Sequence, residues 1–391
     1  MQTTNVCIVG AGPSGATTSL MLSKMGIFHT VLDKAVFPRD KTCGDGLVLY
    51  VFQVLKEIDP QLLTKFIEHP AFLHSYKANF YVSNQLHLDI YPSQNHKPHA
   101  PIFYARRMDF DNFLVENLPS NYADLRLGVG LKKIERLHPQ EGLKLTLEDG
   151  SELITKILVG ADGIQSLVSR KLGKNKSDKN HTSTFISAYF AGLEDLLPEN
   201  SAEIRLIYKN MPLFFYIFPL TGGISNVSFG GNTGKLGLHK INLKTEIENI
   251  IATHPQIKEK FTSAHRLGDW RGWGIPSSFG HLTVSGDNFL LVGDAAGLAN
   301  PFYKEGVGTG MMSGLIAARQ IQKALEQERF DASFFSEYES LLAQKFGKLL
   351  RYSNLSLRMA HYSRFFYFFI QLLKGTIEKA MIRIIERQSY S

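Results

Sequence analysis

The sequence predicts an α/β fold in three parts: a nucleotide-binding domain built on a β-α-β unit, an inserted antiparallel sheet and a C-terminal helical segment. Residues 5–10 form a short apolar, β-branched stretch, and a glycine-rich turn and a helical pattern follow it directly. Residues 182–232 contain aromatic-rich stretches separated by glycine-rich turns, which is typical of antiparallel strands. Residues 334–391 show helical periodicity.

The composition favours a globular protein in a reducing compartment. Of the 391 residues, 44% are hydrophobic and 20% are charged, which allows a large core in one or two domains. The two cysteines, Cys7 and Cys43, cannot build a disulfide framework. The first residues lack the basic region of a signal peptide, and no apolar run reaches the roughly 18 residues of a spanning helix. We therefore expect a cytoplasmic protein.

The β-α-β unit comprises residues 5–33, and its turn has the sequence Gly10-Ala11-Gly12-Pro13-Ser14-Gly15. Gly10 makes the tight turn, Gly12 lets a pyrophosphate approach the backbone, and Gly15 lets the helix pack closely on the strand. The helix N-terminus then presents free N–H groups to the phosphates. Asp33 ends the second strand, where its carboxylate can accept hydrogen bonds from the adenosine ribose hydroxyls. This unit alone admits either NAD or FAD.

Two later segments favour FAD. In the first, a strand leads into a turn formed by Asp162 and Gly163. In the second, a strand meets Gly293 and Asp294, and a loop and a helix follow. The Asp294 carboxylate can bind the ribityl hydroxyls or, through water, the phosphate bridge. Because both segments accompany the glycine-rich turn, we predict FAD as the cofactor.

The helix of the second segment opens at Gly306, Val307 and Gly308. The dipole at its N-terminus can face the flavin pyrimidine and stabilise the negative charge that reduced flavin carries near N1. From these motifs we also predict contacts with the cofactor by the neighbouring residues Ala11, Pro13, Ser14, Lys34 and Val129.

These motifs resemble the glutathione-reductase-2 type of FAD fold, which class A flavin hydroxylases, flavin halogenases and geranylgeranyl reductases share. Four segments resemble the geranylgeranyl reductase family in particular, and together the likeness covers residues 3–320. They are similar to its PRxKxCGxG stretch, its R-x-x-F-D-x-x-L helix, its Y-x-W-x-F-P strand and its P-x-x-G-E-G-I loop, at residues 37–46, 107–114, 215–219 and 300–307. The resemblance implies that Arg107 lies against the cofactor and that Cys43 and Gly44 lie near the flavin face, so we predict these three residues as further cofactor contacts.

The chain departs from this family pattern at three points. Asp33 stands where FAD proteins more often carry Glu, although the shorter side chain can still reach a ribose hydroxyl. Lys304 stands where the family usually has Gly, and its cation can lie near the flavin and raise the reduction potential, or point to solvent. The strand at residues 215–219 lacks the family's Trp, which leaves the identity of the substrate open.

The resemblance and the strand pattern predict an inserted sheet that interrupts the FAD-binding domain twice. We predict an FAD-binding domain of residues 1–70, 100–178 and 276–330. Residues 71–99 and 179–275 then form the sheet that carries the substrate site, and residues 331–391 form the C-terminal helical segment. Residues 272–276, GWGIP, superficially resemble a halogenase motif, but we interpret them as a segment that crosses between domains.

Aromatic residues cluster on one strand of the inserted sheet, at Phe214, Phe215, Tyr216 and Phe218. Such a cluster can be ordinary core, or it can line a long apolar cavity that ends at the flavin. The second interpretation predicts an apolar small-molecule substrate, such as an isoprenoid or another prenyl lipid. Tyr216 is a candidate catalytic residue because its hydroxyl can donate a proton to a substrate carbon; the alternative is that it only lines the cavity.

Cys43 is the second candidate catalytic residue. The neighbouring cations Arg39 and Lys41 can favour its thiolate, and the alternative is a small residue that packs under the cofactor. Cys7 lies within an apolar strand and is predicted to be structural. The thirteen histidines show no spacing typical of metal ligands, so we predict no metal.

The C-terminal tail carries the excess positive charge of the chain. Residues 345–391 contain nine basic and two acidic residues, a difference that equals the whole net charge of +7. Nucleic-acid binders more often carry basic patches on the folded body, so we expect no nucleic-acid partner. Between Phe365 and Ile385 apolar residues recur on one helical face, with basic residues opposite. Residues 365–387 therefore predict peripheral membrane contact; the alternative is packing on the FAD-binding domain or a partner subunit.

Three functions stay open at this point. The first is an ene-reductase, in which reduced FAD gives hydride to a C=C bond of an isoprenoid and an acid supplies the proton. The second is a monooxygenase (hydroxylase) or halogenase that uses oxygen, although FYIFP stands where halogenases carry W-x-W-x-I-P. The third is a non-enzymatic flavin-binding protein. The sequence shows no second Rossmann unit, so NAD(P)H would bind transiently, and a ferredoxin-type donor is equally compatible.

Overall fold

The structure is a computed structural model that describes residues 2–48, 50–92, 99–138, 140–194 and 200–390. Its strands are, in chain order, β1 (Gln2–Val9), β2 (His29–Asp33), β3 (Gly46–Leu47), β4 (Leu73–Ser75), β5 (Ala78–Tyr81), β6 (His87–Ile90), β7 (Ile102–Tyr104), β8 (Ala123–Leu127), β9 (Leu131–Arg136), β10 (Leu143–Leu147), β11 (Glu152–Gly160), β12 (Thr182–Ala191), β13 (Ala202–Tyr208), β14 (Pro212–Leu220), β15 (Ile224–Asn232), β16 (His265–Pro276), β17 (Ser285–Gly286) and β18 (Phe289–Leu291).

The α-helices cover the faces of the sheets and form the C-terminal segment. They are α1 (Pro13–Lys24), α2 (Tyr50–Ile58), α3 (Pro60–Ile67), α4 (Arg107–Glu116), α5 (Leu167–Lys171), α6 (Thr233–Leu238), α7 (Leu243–Thr253), α8 (Pro255–Lys258), α9 (Val307–Glu326), α10 (Ala332–Ala360) and α11 (Ser363–Tyr390). Across the described part of the chain, none of these helices is both long and apolar enough to cross a membrane.

The first sheet has the strand order β17-β18-β11-β1-β2-β8, with the β9–β10 hairpin attached to β11. Its central strands β18, β11, β1, β2 and β8 run parallel. Parallel strands are covered by helices on both faces and therefore consist of continuous apolar runs, as β1 does from Val6 to Val9. The β1–α1–β2 segment is the predicted Rossmann unit, and it brings the glycine-rich turn to the carboxyl edge of the sheet.

The second sheet has the order β16-β12-β15-β14-β13-β5-β6 and is antiparallel except for the β13–β5 pair. Alternate residues of a strand point to opposite faces, and β14 shows this clearly. Phe215 and Ile217 pack on one face with the buried side of α7, whereas Phe214 and Tyr216 pack on the other face with residues of α11. The aromatic cluster of the sequence is therefore divided between core and cavity. A third, small sheet has the order β3-β7-β4.

The two C-terminal helices pack on the body of the protein. Tyr338 and Phe346 of α10 are fully buried, and the Tyr338 hydroxyl donates to the carbonyl of Leu291 in β18 at 2.7 Å. On α11, Phe366 and Ile370 are buried against the second sheet. The apolar residues of α11 therefore do not form one lipid-facing surface, because part of them covers the inserted sheet. The mixed fold class with an FAD-binding Rossmann-type domain and C-terminal helices is confirmed.

Candidate functional site

A cavity of about 410 Å³ lies where the two large sheets and the C-terminal helices meet. Its first wall consists of the β1–α1 turn and the loop before α9, and its second wall is the Tyr216 face of the inserted sheet. Helices α10 and α11 close a third side with Tyr352, Met381 and Ile384. The sequence analysis missed this third wall because a helix-periodic pattern does not show which surface the helix will cover.

Two glycines of the β1–α1 turn are required by close backbone contacts. Gly10 has a φ of +103°, and a Cβ atom there would lie 2.4 Å from the carbonyl oxygen of Ala161. A Cβ atom on Gly15 would lie 1.8 Å from the carbonyl oxygen of Gly10. Gly15 therefore lets helix α1 sit directly on the end of β1, and Gly10 lets the residues after β11 approach the same turn.

The N-terminus of α1 is open to a ligand. Gly12 is its N-cap, no side chain in the described residues caps it, and Pro13 occupies the first helical turn. Gly12, Pro13 and Ser14 all line the cavity. Free N–H groups and the positive end of the helix dipole together make a site for phosphate groups. This geometry is the one that the glycine-rich sequence predicts.

Asp33 supports the same turn from β2. Its Oδ2 accepts from the Ala11 amide at 2.8 Å, and its Oδ1 accepts from the Ala35 amide at 2.9 Å. Each carboxylate oxygen can still accept a second hydrogen bond, so the predicted contact with ribose hydroxyls stays open. The Val129 amide donates to the Asp33 carbonyl at 3.0 Å, which places Val129 beside this end, whereas Lys34 is exposed.

Asp162 and Gly163 follow β11, and Ala161 and Gly163 line the cavity on either side of Asp162. The Asp162 Oδ2 accepts from the Leu167 amide at 2.7 Å, so part of the carboxylate caps the segment that leads into α5. Its Oδ1 is buried and has no partner in the described residues. Burial raises the pKa of Asp162. Gly163 has a φ of +73° and lines the cavity, which leaves the backbone open to a ligand there.

The Gly293–Asp294 turn packs directly on the β1–α1 turn. A Cβ atom on Gly293 would lie 2.1 Å from the Ser14 Oγ, so these two predicted motifs share one close contact. The Gly293 amide donates to the Ser313 Oγ of α9 at 2.9 Å. Asp294 lines the cavity between these elements. Segments 280 residues apart in sequence are thus joined at the predicted cofactor site.

Helix α9 begins at Val307, as predicted, and Gly306 and Val307 line the cavity. The structure adds a carboxylate that the sequence analysis did not consider: the Gly308 amide donates to Glu305 Oε1. Its Oε2 is buried without a partner in the described residues, and burial raises the pKa of Glu305 to about 7. An acid therefore lies next to the helix end that we expect to face the reduced flavin. The interaction of that helix end with the flavin stays a prediction.

Arg107 begins α4 and lines the cavity, and its guanidinium is held by one carboxylate. It donates to both oxygens of Asp111, at 2.6 and 2.7 Å, and Arg39 also pairs with Asp111 at 2.9 Å. The side chains of Arg107 and Asp111 are both almost fully buried. This bidentate pair fixes the side chain of Arg107, so it can present its remaining N–H groups to a cofactor in one orientation.

Cys43 and Gly44 lie between the cofactor wall and the inserted sheet, and both line the cavity. The Cys43 carbonyl accepts from the Asn226 Nδ2 at 2.7 Å. A Cβ atom on Gly44 would lie 3.2 Å from the ring of Phe218 on β14, so β14 of the inserted sheet packs closely on the Cys43 segment. The predicted cysteine and the aromatic strand are therefore neighbours in the structure.

Asp45 is a buried acid that the sequence analysis missed. Its Oδ2 accepts from the Tyr189 hydroxyl at 3.0 Å and from the Asn226 Nδ2 at 2.7 Å, and its Oδ1 accepts from the Arg107 amide at 3.2 Å. Burial raises the pKa of Asp45 to about 7. These contacts join residues from four separate segments, and a sequence pattern alone gives no signal for such a network.

Tyr216 lies on the cavity face of β14. Its ring stacks on Phe185, with ring centroids 5.6 Å apart, and on Phe218, with centroids 5.4 Å apart. Its hydroxyl is buried and has no partner in the part of the chain that the structure describes. Trp273 also lines the cavity and pairs with Phe185 across the β12–β16 ladder. The GWGIP segment is therefore the end of strand β16 and part of the site, which the interpretation as a domain crossing did not predict.

The residues at the first wall fit FAD. The open N-terminus of α1 and the space above Gly12 suit a pyrophosphate. Bound there, FAD would supply hydride and electron transfer that no protein side chain provides. The fold and this site define a flavoprotein.

The similarity to known proteins supports an FAD-binding site. Residues 3–341 match the family described as FAD binding domain. The chain is 25% identical to the menaquinone reductase of Mycobacterium tuberculosis over 88% of this chain and 81% of the relative. It is 25% identical to a pyrrole-2-carbonyl carrier-protein chlorinase of Pseudomonas fluorescens, over 86% and 80%. It is 26% identical to digeranylgeranylglycerophospholipid reductase 2 of Methanopyrus kandleri, over 89% and 84%.

A solved structure shows the same fold. The geranylgeranyl bacteriochlorophyll reductase-like protein of Thermoplasma acidophilum superimposes with a TM-score of 0.78, at 19% identity, over 100% of this chain and 92% of that one. The chain belongs to the FAD binding domain family. It is an FAD-dependent oxidoreductase, so the predicted cofactor and enzyme class are confirmed, and the predicted resemblance to geranylgeranyl reductases is found in the relatives and in the fold.

Proposed function

We propose that the protein reduces C=C bonds of an isoprenoid or another apolar substrate. The observation that carries this proposal is the continuity of the cavity, which joins the FAD-binding turn at Gly12 to an aromatic wall at Phe185, Tyr216 and Phe218. Apolar walls with few polar groups select an apolar ligand. Two relatives of the chain, the menaquinone reductase and the digeranylgeranylglycerophospholipid reductase, carry names that imply reduction of prenylated molecules.

The proposed catalytic residues are Cys43 and Tyr216. Burial raises the pKa of Tyr216, so its hydroxyl stays protonated at neutral pH and is available as a donor to the substrate. The stacked rings of Phe185 and Phe218 hold the Tyr216 ring in one orientation. Cys43 lies at the boundary between the two walls, where its side chain can contact the cofactor or the substrate. The aromatic wall also excludes water from the reacting atoms.

Reduction under anaerobic conditions tests this function. The FAD-loaded full-length protein is reduced with dithionite and mixed with a geranylgeranyl lipid that carries no quinone, and the products are examined by mass spectrometry. We expect a mass increase of two hydrogens without oxygen. A product that forms only after oxygen is admitted, and that carries oxygen or a halogen, contradicts the reductase function and supports the second candidate.

That second candidate is a flavin-dependent monooxygenase or halogenase. The similarity to a carrier-protein chlorinase over most of both chains favours it. The strand sequence FYIFP on β14 counts against a halogenase, because the tryptophan-rich motif of those enzymes is missing there. For either reaction we propose NAD(P)H or a ferredoxin-type protein as a transient electron donor. Stopped-flow reduction of the bound FAD with NADH, NADPH or reduced ferredoxin distinguishes these donors.

We also propose that the protein binds an anionic membrane surface through the outer side of α10 and α11. This outer aromatic stripe consists of large apolar residues that are each more than half exposed: Tyr352, Leu355, Tyr362, Phe365, Phe368 and Leu372. Exposed Arg358 and Arg364 flank it, and basic side chains attract anionic lipid headgroups. Tyr352 also lines the cavity, so the opening of the cavity lies beside the stripe. A lipid substrate could then enter directly from the bilayer.

Flotation with vesicles tests this surface. The full-length protein should float with vesicles that contain phosphatidylglycerol, and less with vesicles of phosphatidylcholine alone. The double variant Phe365→Ser/Phe368→Ser should lose binding, because each exposed aromatic ring contributes buried apolar area. Phe28→Ser is the matched control, since Phe28 is 54% exposed between α1 and β2, outside α10 and α11. Equal recovery of the double variant and the control contradicts the proposal.

A further inference from the structure

Lys304 is a cation in the wall of the cavity, and the proposed function leaves it without a role. It lies in the loop before α9 with a φ of 59°, in the left-handed region that favours glycine. The loop is fixed by its own backbone, since the Lys304 amide donates to the Asn300 carbonyl at 3.0 Å. A side chain in this conformation carries a steric cost that glycine avoids. Because lysine stands here in spite of this cost, its ammonium group is a candidate for a role in the site.

The ammonium group of Lys304 has only neutral partners. Its Nζ donates to the Ser183 Oγ at 2.9 Å and to the Pro301 carbonyl, and it lies 5.7 Å from the ring centroid of Phe214. Within the described ranges no carboxylate pairs with it, because the adjacent Glu305 carboxylate binds the Gly308 amide instead. Burial lowers the pKa of Lys304 to about 7. A buried cation without a counterion is costly unless a ligand supplies the negative charge.

A hydroxyl without a partner also lies in the cavity wall. The Tyr216 hydroxyl is buried, its residue is 5% exposed, and it makes no hydrogen bond in the described chain. The Phe214 ring lies between the two residues, with its centroid 6.1 Å from the Tyr216 ring and 5.7 Å from the Lys304 Nζ. The surrounding wall is apolar, with Phe185 and Phe302. The cavity wall thus contains an ammonium group without a counterion in a largely hydrocarbon environment.

We propose that Lys304 binds the carboxylate of an amphiphilic acid whose hydrocarbon part fills the remaining cavity along the aromatic wall at Tyr216. A carboxylate carries one negative charge, which matches the single ammonium group. A phosphate monoester carries nearly two negative charges and would leave one of them buried without a cation. This inference rests on the proposed function only in taking the cavity as the substrate site. It narrows the substrate class to an apolar acid.

Paired ligands with the same chain test the assignment. The dissociation constants of farnesoic acid, farnesol and farnesyl phosphate are measured by isothermal titration calorimetry on the FAD-loaded full-length protein. We expect the acid to bind at least about tenfold more tightly than the alcohol, because a hydrogen-bonded charge in a buried site contributes this much or more. Lys304→Met should weaken binding of the acid about 10–100-fold and leave farnesol unchanged. Lys132→Met, at an exposed position, is the matched control.

Lys304→Gly guards against a folding artefact. Glycine accepts the left-handed backbone, so this variant should melt at or above the wild-type temperature and should still lose the preference for the acid. Equal affinities of wild-type protein for acid and alcohol overturn the inference, as does unchanged acid binding by Lys304→Met or tighter binding of the phosphate. If the preference for the acid persists while no C=C bond is reduced, the proposed function fails and this inference stands.

Discussion

Replacing Gly12 by alanine should weaken FAD binding without disturbing the fold. Gly12 has φ −67° and ψ 179°, a conformation that alanine adopts readily. The nearest atom to an added Cβ is the Arg39 Nη2 at 3.4 Å, at the end of a flexible side chain. The protein itself therefore has room for the methyl group. The pyrophosphate does not, because it must approach the backbone at this point.

The expected magnitudes follow from these distances. The change should raise the stability of the apoprotein by about 0.4–1 kcal/mol, because alanine restricts the unfolded chain. A methyl group pressed against the ligand should cost about 1–3 kcal/mol of binding free energy, which corresponds to a rise in Kd of about 10–100-fold. Gly15→Ala should behave in the opposite way. Its Cβ would lie 1.8 Å from the Gly10 carbonyl oxygen, so the variant should lose about 3 kcal/mol or more of stability.

Two measurements separate these outcomes: thermal unfolding of the apoprotein, and FAD titration followed by flavin fluorescence. Gly347→Ala is the matched control, because an added Cβ there meets no atom within 4 Å and α10 tolerates it. It should gain up to about 1 kcal/mol of stability and bind FAD normally. If Gly12→Ala binds FAD as tightly as this control, the pyrophosphate does not lie on the β1–α1 turn, and the reasoning about the site is refuted.

Three further predictions concern buried polar groups. Asp111→Ala should destabilise the protein by about 3–5 kcal/mol in urea unfolding, because it leaves the buried Arg107 and the mostly buried Arg39 without their carboxylate; a loss below about 1 kcal/mol would contradict this. The pKa of Asp45 rises from 3.8 to about 7 on folding, so its contribution favours the folded state at low pH and is lost between about pH 4 and 7, up to about 4 kcal/mol. Asp45→Asn should therefore flatten the decline of melting temperature with rising pH over that range, and an unchanged slope refutes it. Tyr216→Phe removes a buried hydroxyl without a partner, so stability should stay the same or rise by about 1 kcal/mol. If the hydroxyl serves the reaction, turnover should fall about 100-fold or more, whereas unchanged turnover assigns Tyr216 to the wall alone.

Local sequence determines the nucleotide-binding elements of this protein. The strand, the turn at Gly10–Gly15 and helix α1 are contiguous, and the close contact that requires Gly15 lies within the turn itself. The same holds for the start of α9 at Val307 and for the two C-terminal helices. In each case apolar periodicity and the position of glycine are sufficient, because short-range geometry decides the conformation. FAD as the cofactor could therefore be predicted from the sequence and is confirmed.

Tertiary structure alone decides which distant groups share the cavity. Asp45 receives hydrogen bonds from Tyr189 and Asn226, which lie 144 and 181 residues away in the chain. Lys304 could point to the flavin or to solvent as far as the sequence shows, and the packing of its loop on β12 places its ammonium beside Ser183. Residues of α11 that form one apolar face in the sequence divide between the inserted sheet and the exterior. The physical reason is that burial and partner depend on how strands and helices pack together, and no local pattern encodes that packing.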